Sequence, residues 1–282
     1  MEPILHPLYF NTSEEMMQAE IGRSSAKILS ISKWPWWIII LFSGGLALLY
    51  LILADTNYRE TFLYLTQGLQ TTLRITFLSY AIATVIGLIV GLARTSKNPI
   101  LYHLSTLYVE TIRGVPMMVL ILYIAFALVP FLVDIIHNMG YTEFDIRAVS
   151  MEWRAIVALA LGYGAFEAEV FRAGIQSISK GQMEAAKSLG MNYFQAMRFV
   201  ILPQAIRRVL PPLGNDFIAC LKDSSLVTVL AVNELTQMGR LRRAATFRAM
   251  ETFNVVAFLY LSMTLLLSLL VRWLENKMKI EE

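Results

Sequence analysis

Apolar residues in this chain gather into long runs separated by short polar breaks. About 20 consecutive apolar residues are needed to cross a hydrocarbon core. The pattern predicts six spans: 36–54, 69–93, 107–133, 154–171, one that begins near Pro211 and runs past Lys222, and 253–273. Residues 1–34 form a polar lead to the first run, and Ile52 near its end makes a poor cleavage context. Both features point to an uncleaved anchor over residues 35–55 and away from a signal peptide.

One segment breaks the alternation. Residues 184–203 read EAAKSLGMNYFQAMRFVILP, too polar and basic to enter a bilayer and too patterned for a slack loop. Ser179 to Gln182 make a turn and helix start, and Glu184 to Leu189 are good helix formers. Gly190 suits the left-handed position that ends a helix. Asn192 fits the N-cap of a second helix with Phe194, Met197, Val200 and Ile201 on one face, and Pro203 is expected to end it. The residues alone leave two readings open. One is an amphipathic element resting on lipid headgroups; the other is a docking element for a soluble partner.

Composition agrees with the membrane reading. The chain of 282 residues is 56% hydrophobic and 16% charged, where soluble domains carry about 25% charged residues. A net charge of +3 gives no basic surface for nucleic acid. The single cysteine, Cys220, excludes an intrachain disulfide. His6, His103 and His137 have no metal-site spacing, and no G-x-x-x-x-G-K-[ST] pattern is present to hold ATP in a P-loop. Lysine and arginine set the orientation. With the N-terminus inside, Arg172, Lys180, Lys187, Arg198, Arg207 and Arg208 all fall on one cytoplasmic segment, and both termini are cytoplasmic. Arg240, Arg242, Arg243 and Arg248 fall outside, against the rule, and suggest an external partner.

The polar segment resembles the EAA loop of bacterial ABC importer permeases, E-A-A-x3-G-x9-I-x-L-P. Glu184, Ala185, Ala186, Gly190, Leu202 and Pro203 match at the family spacing, with Val200 in the isoleucine place. Further stretches are similar to the branch that imports polar amino acids: 68–73 (GLQTTL), 110–116 (ETIRGVP), 169–175 (EVFRAGI), 202–205 (LPQA), 210–215 (LPPLGN) and 221–226 (LKDSSL). Glu167 stands where the branch has an apolar residue.

The resemblance implies an all-α integral membrane fold. It is a five-span type I importer core of the MetI-like kind over residues 60–276, with the coupling loop at 180–203, one extra N-terminal helix and a cytoplasmic tail at 277–282. It implies a multi-pass subunit of the bacterial inner membrane that is not itself an enzyme and binds no cofactor. ATP and magnesium belong to a separate ATP-binding subunit. Two such ATPases dock at two coupling loops, a second permease (the same chain or a related one) completes the pathway, and an extracytoplasmic binding protein delivers the amino acid. Residues 134–152 and 231–252 are the expected outer landing surface.

Ionisable groups at membrane depth are kept where they face a cavity or a partner. Lys222 lies about 16 Å along a helix from Pro211, near the middle of a core about 30 Å thick. Asn215 and Lys222, seven apart, share one face, and Asp216 and Asp223 form the next stripe. Ser224 and Ser225 mark a possible helix break. This group either lines the translocation path or forms an internal ion pair. Arg74 either snorkels to the outer headgroups or meets substrate. Glu110, Arg113 and Pro116 lie where the family has its inner gate, with Pro116 kinking the third span. Glu167 and Glu169, two apart, do not share a helix face. Ala83, Gly87 and Gly91 make a small-residue stripe for a close helix neighbour. Rival readings are an ABC permease for another small solute, an ion-coupled amino-acid carrier, for which no internal repeat is evident, and an intramembrane hydrolase, for which no H-E-x-x-H motif is present.

Overall fold

The structure is a computed structural model that describes residues 36–141 and 145–278. The expectations for residues 1–35, 142–144 and 279–282 lie outside it. Among the described residues every regular element is helical. The chain divides into two units, residues 1–50 and 51–282. The first contributes most of α1 (Trp36–Ala54), a helix of almost wholly apolar residues.

Asp55 opens the second unit by accepting the Asn57 and Tyr58 amides and so starting α2 (Thr56–Thr95). At 40 residues α2 is about 60 Å long, twice a hydrocarbon core, so the expected span 69–93 is only its later part. Asn98 caps α3 (Pro99–Arg113) in the same way.

The third expected span is not one kinked helix. It breaks at Gly114 to Pro116, where proline lacks the N–H that would continue α3. The chain restarts as α4 (Met117–Tyr123), a π turn over Ile124–Leu128, and α5 (Val129–Asn138). A 3₁₀ turn at Ile146–Ala148 leads to α6 (Met151–Gln176), capped by Ser150.

After α6 come α7 (Lys180–Ser188), α8 (Tyr193–Ala196), a π turn at Met197–Ile201 and α9 (Leu202–Asp223). A 3₁₀ stretch at Ser224–Leu230 connects to α10 (Leu235–Thr246), and α11 (Ala249–Met278) completes the unit. Pro203 does not end the second helix of the loop. The π turn leads directly into α9, Pro203 sits in the first turn of α9, and Pro211 and Pro212 lie inside it. The helix that carries the expected fifth span therefore begins at Leu202, nine residues before Pro211.

Among the described residues four stretches are long and apolar enough to cross a membrane: Trp36–Ala54, Thr56–Thr95, Met117–Asn138 and Ala249–Lys277. The expected fourth and fifth spans fall in α6 and α9, whose runs are interrupted by Glu167, Glu169 and Arg172 and by Arg207, Arg208, Asp216 and Lys222.

The most extensive contact in the unit joins α2 to α6. The small-residue stripe makes it possible. A Cβ on Gly87 would lie 2.6 Å from Cβ of Glu167, and one on Gly91 would lie 2.8 Å from the Ala168 carbonyl. The close neighbour left open by the sequence is thus within the chain. One core gathers Ile75, Ile121, Ile124, Ile156, Leu159 and Val227; a second joins Ile52, Leu65, Leu235, Val255 and Leu259.

Candidate functional site

The polar segment forms a tight, fully bonded turn. Gly190 takes φ +80°. Its amide donates to the Lys187 carbonyl (2.9 Å), and the Met191 amide donates to the Ala186 carbonyl (3.1 Å). These two bonds close α7 in a Schellman motif. Asn192 and Gln195 then exchange a reciprocal pair of bonds, both 2.9 Å, that start α8 as a capping box. Every amide from Gly190 to Asn192 is used, so the direction change between α7 and α8 is rigid.

Of the matched residues, Ala186 is buried, while Glu184, Ala185, Gly190, Leu202 and Pro203 are exposed. Glu184 makes no ion pair among the described residues. The expected apolar face is only partly inward. Met197, Val200 and Ile201 pack with Ile178, Met183 and Ala205. Phe194 instead is 81% exposed, and Leu189 and Phe199 are exposed beside it. The π turn accounts for the difference: the wider turn shifts the register between Phe194 and Val200. The turn therefore offers an unpaired carboxylate and an apolar rim.

On α9, Asn215 and Lys222 share an exposed face, as their spacing requires. Asp223 accepts from the Tyr163 hydroxyl at 2.8 Å. Lys222 and Asp223 do not pair with each other, and Lys222 forms no ion pair among the described residues. Ser224 is buried and bonds back to the Leu221 carbonyl, where α9 gives way to the 3₁₀ stretch; Ser225 follows it and is partly exposed. An exposed Asn–Lys face on an intramembrane helix has to meet water or a partner, because lipid satisfies neither group.

Asp216, partly buried, looks into a cavity of about 470 Å³ between α3, α6 and α9 that Arg113 also lines. Through Glu169 it adjoins a charge network. Arg94 donates to Glu169 (2.8 Å) and Glu110 (3.3 Å), and Arg172 also pairs with Glu169. Arg113 lies over the Phe166 ring, 5.7 Å from its centroid. Pro116 precedes α4 at the break. Sequence reasoning missed both Arg94 and Arg172 as members of this network: the i,i+3 spacing of Glu169 and Arg172 is a local signal that could have found the second, whereas none marks the contact of Arg94 across 75 residues. Glu167 is buried with neither oxygen bonded. Tyr80 and Thr84 adjoin it, but their hydroxyls donate to the carbonyls of Leu213 and Tyr80.

Arg74 has a partner within the chain. It makes a two-bond ion pair with Glu152, both 2.7 Å, that ties α2 to the start of α6. Arg154 is buried and holds three carbonyls, those of Val149, Ala125 and Ile146, at 2.9–3.0 Å. The Ala125 carbonyl comes from the π turn. Glu234 caps α10 through the Thr236 and Gln237 amides and accepts from Tyr260; burial pushes its carboxyl above the usual range. The four arginines at 240–248 divide. Arg242 pairs with Glu60 (3.1 Å) and Arg240 bonds Thr228, whereas Arg243 and Arg248 have no ion pair among the described residues. Phe247 between them is 90% exposed in a left-handed conformation, φ +58°.

Among the described residues no group of His, Cys, Asp and Glu is placed to hold a metal.

Comparison with known proteins agrees with this layout. Residues 83–280 match the family described as binding-protein-dependent transport system inner membrane component. Over 216 residues the chain is 41% identical to the glutamine transport system permease protein GlnP of Escherichia coli (strain K12), covering 77% of this chain and 93% of that one. It is 36% identical to the probable amino-acid ABC transporter permease protein YckA of Bacillus subtilis (strain 168), covering 77% and 90%. Among solved structures, an amino acid ABC transporter crystallised with histidines superposes with a TM-score of 0.68 at 36% identity, covering 80% of this chain and 98% of that one.

Proposed function

The chain belongs to the family of binding-protein-dependent transport system inner membrane components, and we propose that it is the permease subunit of an ATP-driven importer for a polar amino acid. The observation that carries the mechanism is the turn at Gly190. It is fully hydrogen-bonded, lies between the short helices α7 and α8, and presents Glu184 with an exposed apolar rim. A separate ATPase subunit seats on this rim and supplies ATP and magnesium; the permease itself holds no cofactor. Closure of the ATPases pushes α7 and α8. Because α8 runs through the π turn into α9, the push reaches Asn215 to Asp223 along one continuous helical stretch. Glu184, Ala185, Ala186, Gly190, Leu202 and Pro203 form the coupling element.

Asn215, Asp216, Lys222, Asp223, Ser224 and Ser225 line the path, and Glu110, Arg113 and Pro116 bound its inner end. Lys222 meets the substrate carboxylate. Two permeases enclose the path, each covering the other's exposed Asn215–Lys222 face, and two ATPases dock beneath. Both termini are cytoplasmic. Residues 35–55 form an anchor added to a permease domain at 60–276. Arg243, Phe247 and Arg248 face the binding protein. Substrate and ATP act by favouring different members of the inward- and outward-open pair.

Uptake of radiolabelled L-glutamine and other polar amino acids is to be measured in cells with and without the cognate ATPase gene, and in a Lys222→Met strain. Uptake that depends on the ATPase and falls in Lys222→Met at normal permease levels is expected. Uptake that survives loss of the ATPase would support an ion-coupled carrier instead. Wild-type rate and affinity in Lys222→Met would remove the carboxylate role.

A further inference from the structure

A second cavity, an apolar groove of about 470 Å³, lies between α2, α9 and α11. Apolar and aromatic side chains line it, and one carboxylate, that of Glu275, joins them. At one end the Phe217 ring packs on those of Phe77 and Tyr80, with centroids 5.1 and 5.0 Å apart. Leu210, Leu274 and Glu275 lie at the other end. Between the ends α9 meets α11 closely: a Cβ on Gly214 would lie 2.5 Å from Cγ1 of Val271. Tyr260, earlier on α11, bonds Thr236 and Glu234, beyond the last residue of α9. The two helices are therefore antiparallel, and the Glu275 end of the groove faces the start of α9 and the finish of α11.

Two basic residues stand at that end. Arg207 precedes Gly214 by seven residues, so it lies on the same side of α9 and about 10 Å along it, level with the last turn of α11. Lys277 follows Leu270, another lining residue, by the same spacing. Both are exposed, and neither they nor Glu275 make an ion pair among the described residues. The Lys277 ammonium lies 5.2 Å from the centroid of the exposed Trp273 ring, and tryptophan and basic residues mark the headgroup level of a bilayer. An apolar slot that runs from this level into the membrane has the form of an acyl-chain site, and basic pockets between spans hold phosphate headgroups. A second permease does not meet the same need. An incoming apolar helix would leave Arg207 and Glu275 unpaired, and the Asn215–Lys222 face assigned to that partner points about 140° away around α9.

The charges at the mouth select the headgroup. A phosphate answers Arg207 and Lys277 with charge-assisted bonds, but alone it would be repelled by Glu275, so the headgroup has to bring a cation as well. Phosphatidylglycerol brings none. Phosphatidylcholine brings a quaternary ammonium with no N–H to donate. We propose that this groove binds one molecule of phosphatidylethanolamine, with an acyl chain along the groove, the phosphate on Arg207 and Lys277 and the primary ammonium on Glu275. The site adds a structural lipid to the permease and does not depend on which face of the membrane is cytoplasmic.

The test uses the full-length permease with its ATPase, delipidated in detergent and titrated separately with dioleoyl phosphatidylethanolamine, phosphatidylglycerol and phosphatidylcholine. Native mass spectrometry counts the lipids retained per permease. One phosphatidylethanolamine per permease is expected, held about tenfold more tightly than the other two lipids, the worth of one charge-assisted contact. Arg207→Gln is expected to weaken it about tenfold, with recovery in Arg207→Lys. Glu275→Gln is expected to erase the preference over phosphatidylcholine and phosphatidylglycerol. Leu270→Trp, at an exposed lining position, is expected to fill the groove and exclude all three lipids. If Arg207→Gln fails to assemble, Glu275→Gln and Leu270→Trp carry the comparison. Equal retention of the three lipids, preference for phosphatidylglycerol, no retained lipid because another helix covers the groove, or retention unchanged in every variant overturns the site and leaves the permease function standing. Lipid bound as expected by a complex that imports no amino acid in phosphatidylethanolamine-containing vesicles, with ATP and binding protein supplied, overturns the permease function and leaves the site standing.

Discussion

Gly190 offers a clean perturbation of the coupling element. Its φ of +80° lies in the left-handed region, and a Cβ built there meets nothing within 4 Å. Gly190→Ala therefore adds no clash and penalises the backbone alone, by about 1–2 kcal/mol. That penalty lowers the population of the intact turn relative to other conformations by about 5- to 30-fold. Gly190→Asn restores a residue that tolerates this conformation. Gly190→Pro fixes φ near −65° and deletes the amide that bonds Lys187. The expected order of coupling is wild type, Asn, Ala, then Pro. The assay is ATP hydrolysis stimulated by loaded binding protein, together with initial amino-acid uptake, in vesicles normalised for permease content. Equal coupling in Asn and Ala, or retention of coupling in Pro, would refute the argument that the left-handed backbone at Gly190 transmits the ATPase stroke.

Other expectations follow from the same geometry. Gly87→Leu inserts a side chain where even a Cβ would lie 2.6 Å from Glu167; overpacking of about 1–3 kcal/mol should appear as a lower melting temperature in detergent, and Gly87→Ala should cost less. Arg154→Met strips three carbonyls of their donor, each worth about 1–3 kcal/mol when buried and unpaired. A thermal-shift measurement should show this loss, with little recovery in Arg154→Lys, because an ammonium lacks the planar fork. Glu184→Lys should leave membrane insertion intact while the ATPase no longer co-purifies with the permease; pull-down of a tagged ATPase reads this directly.

Much of the turn around Gly190 was legible because its signals are local. Gly190 as a helix stop and Asn192 as a helix start depend on backbone bonds within a few residues, and the structure makes both. The change from α to 3₁₀ helix at Ser224 is equally local. Pro203 misled because a proline is a stop only if its missing N–H is needed. In the first turn of a helix that follows a π turn it is not, and the helix continues. Phe194 misled for a related reason, since the π turn alters the period on which the face was counted.

Local signals could not assign the long-range partners. Arg74 is ambiguous as a residue and unambiguous beside Glu152, 78 positions away. Lys222 and Asp223 are neighbours in the chain, yet they point to different surroundings and do not pair. The arginines at 240–248 look alike in sequence, and packing divides them into bonded and unbonded members.

The sequence alone determined the membrane class, the amphipathic break in it and the fixed turn at that break, because hydropathy and capping act over a few residues. Tertiary structure decided which helix the Gly87 stripe meets. It also decided that α8 and α9 form one helical stretch, and that Arg113, Arg208 and Asp216 come to share a cavity. Those outcomes depend on close packing between segments far apart in the chain, which no local pattern encodes.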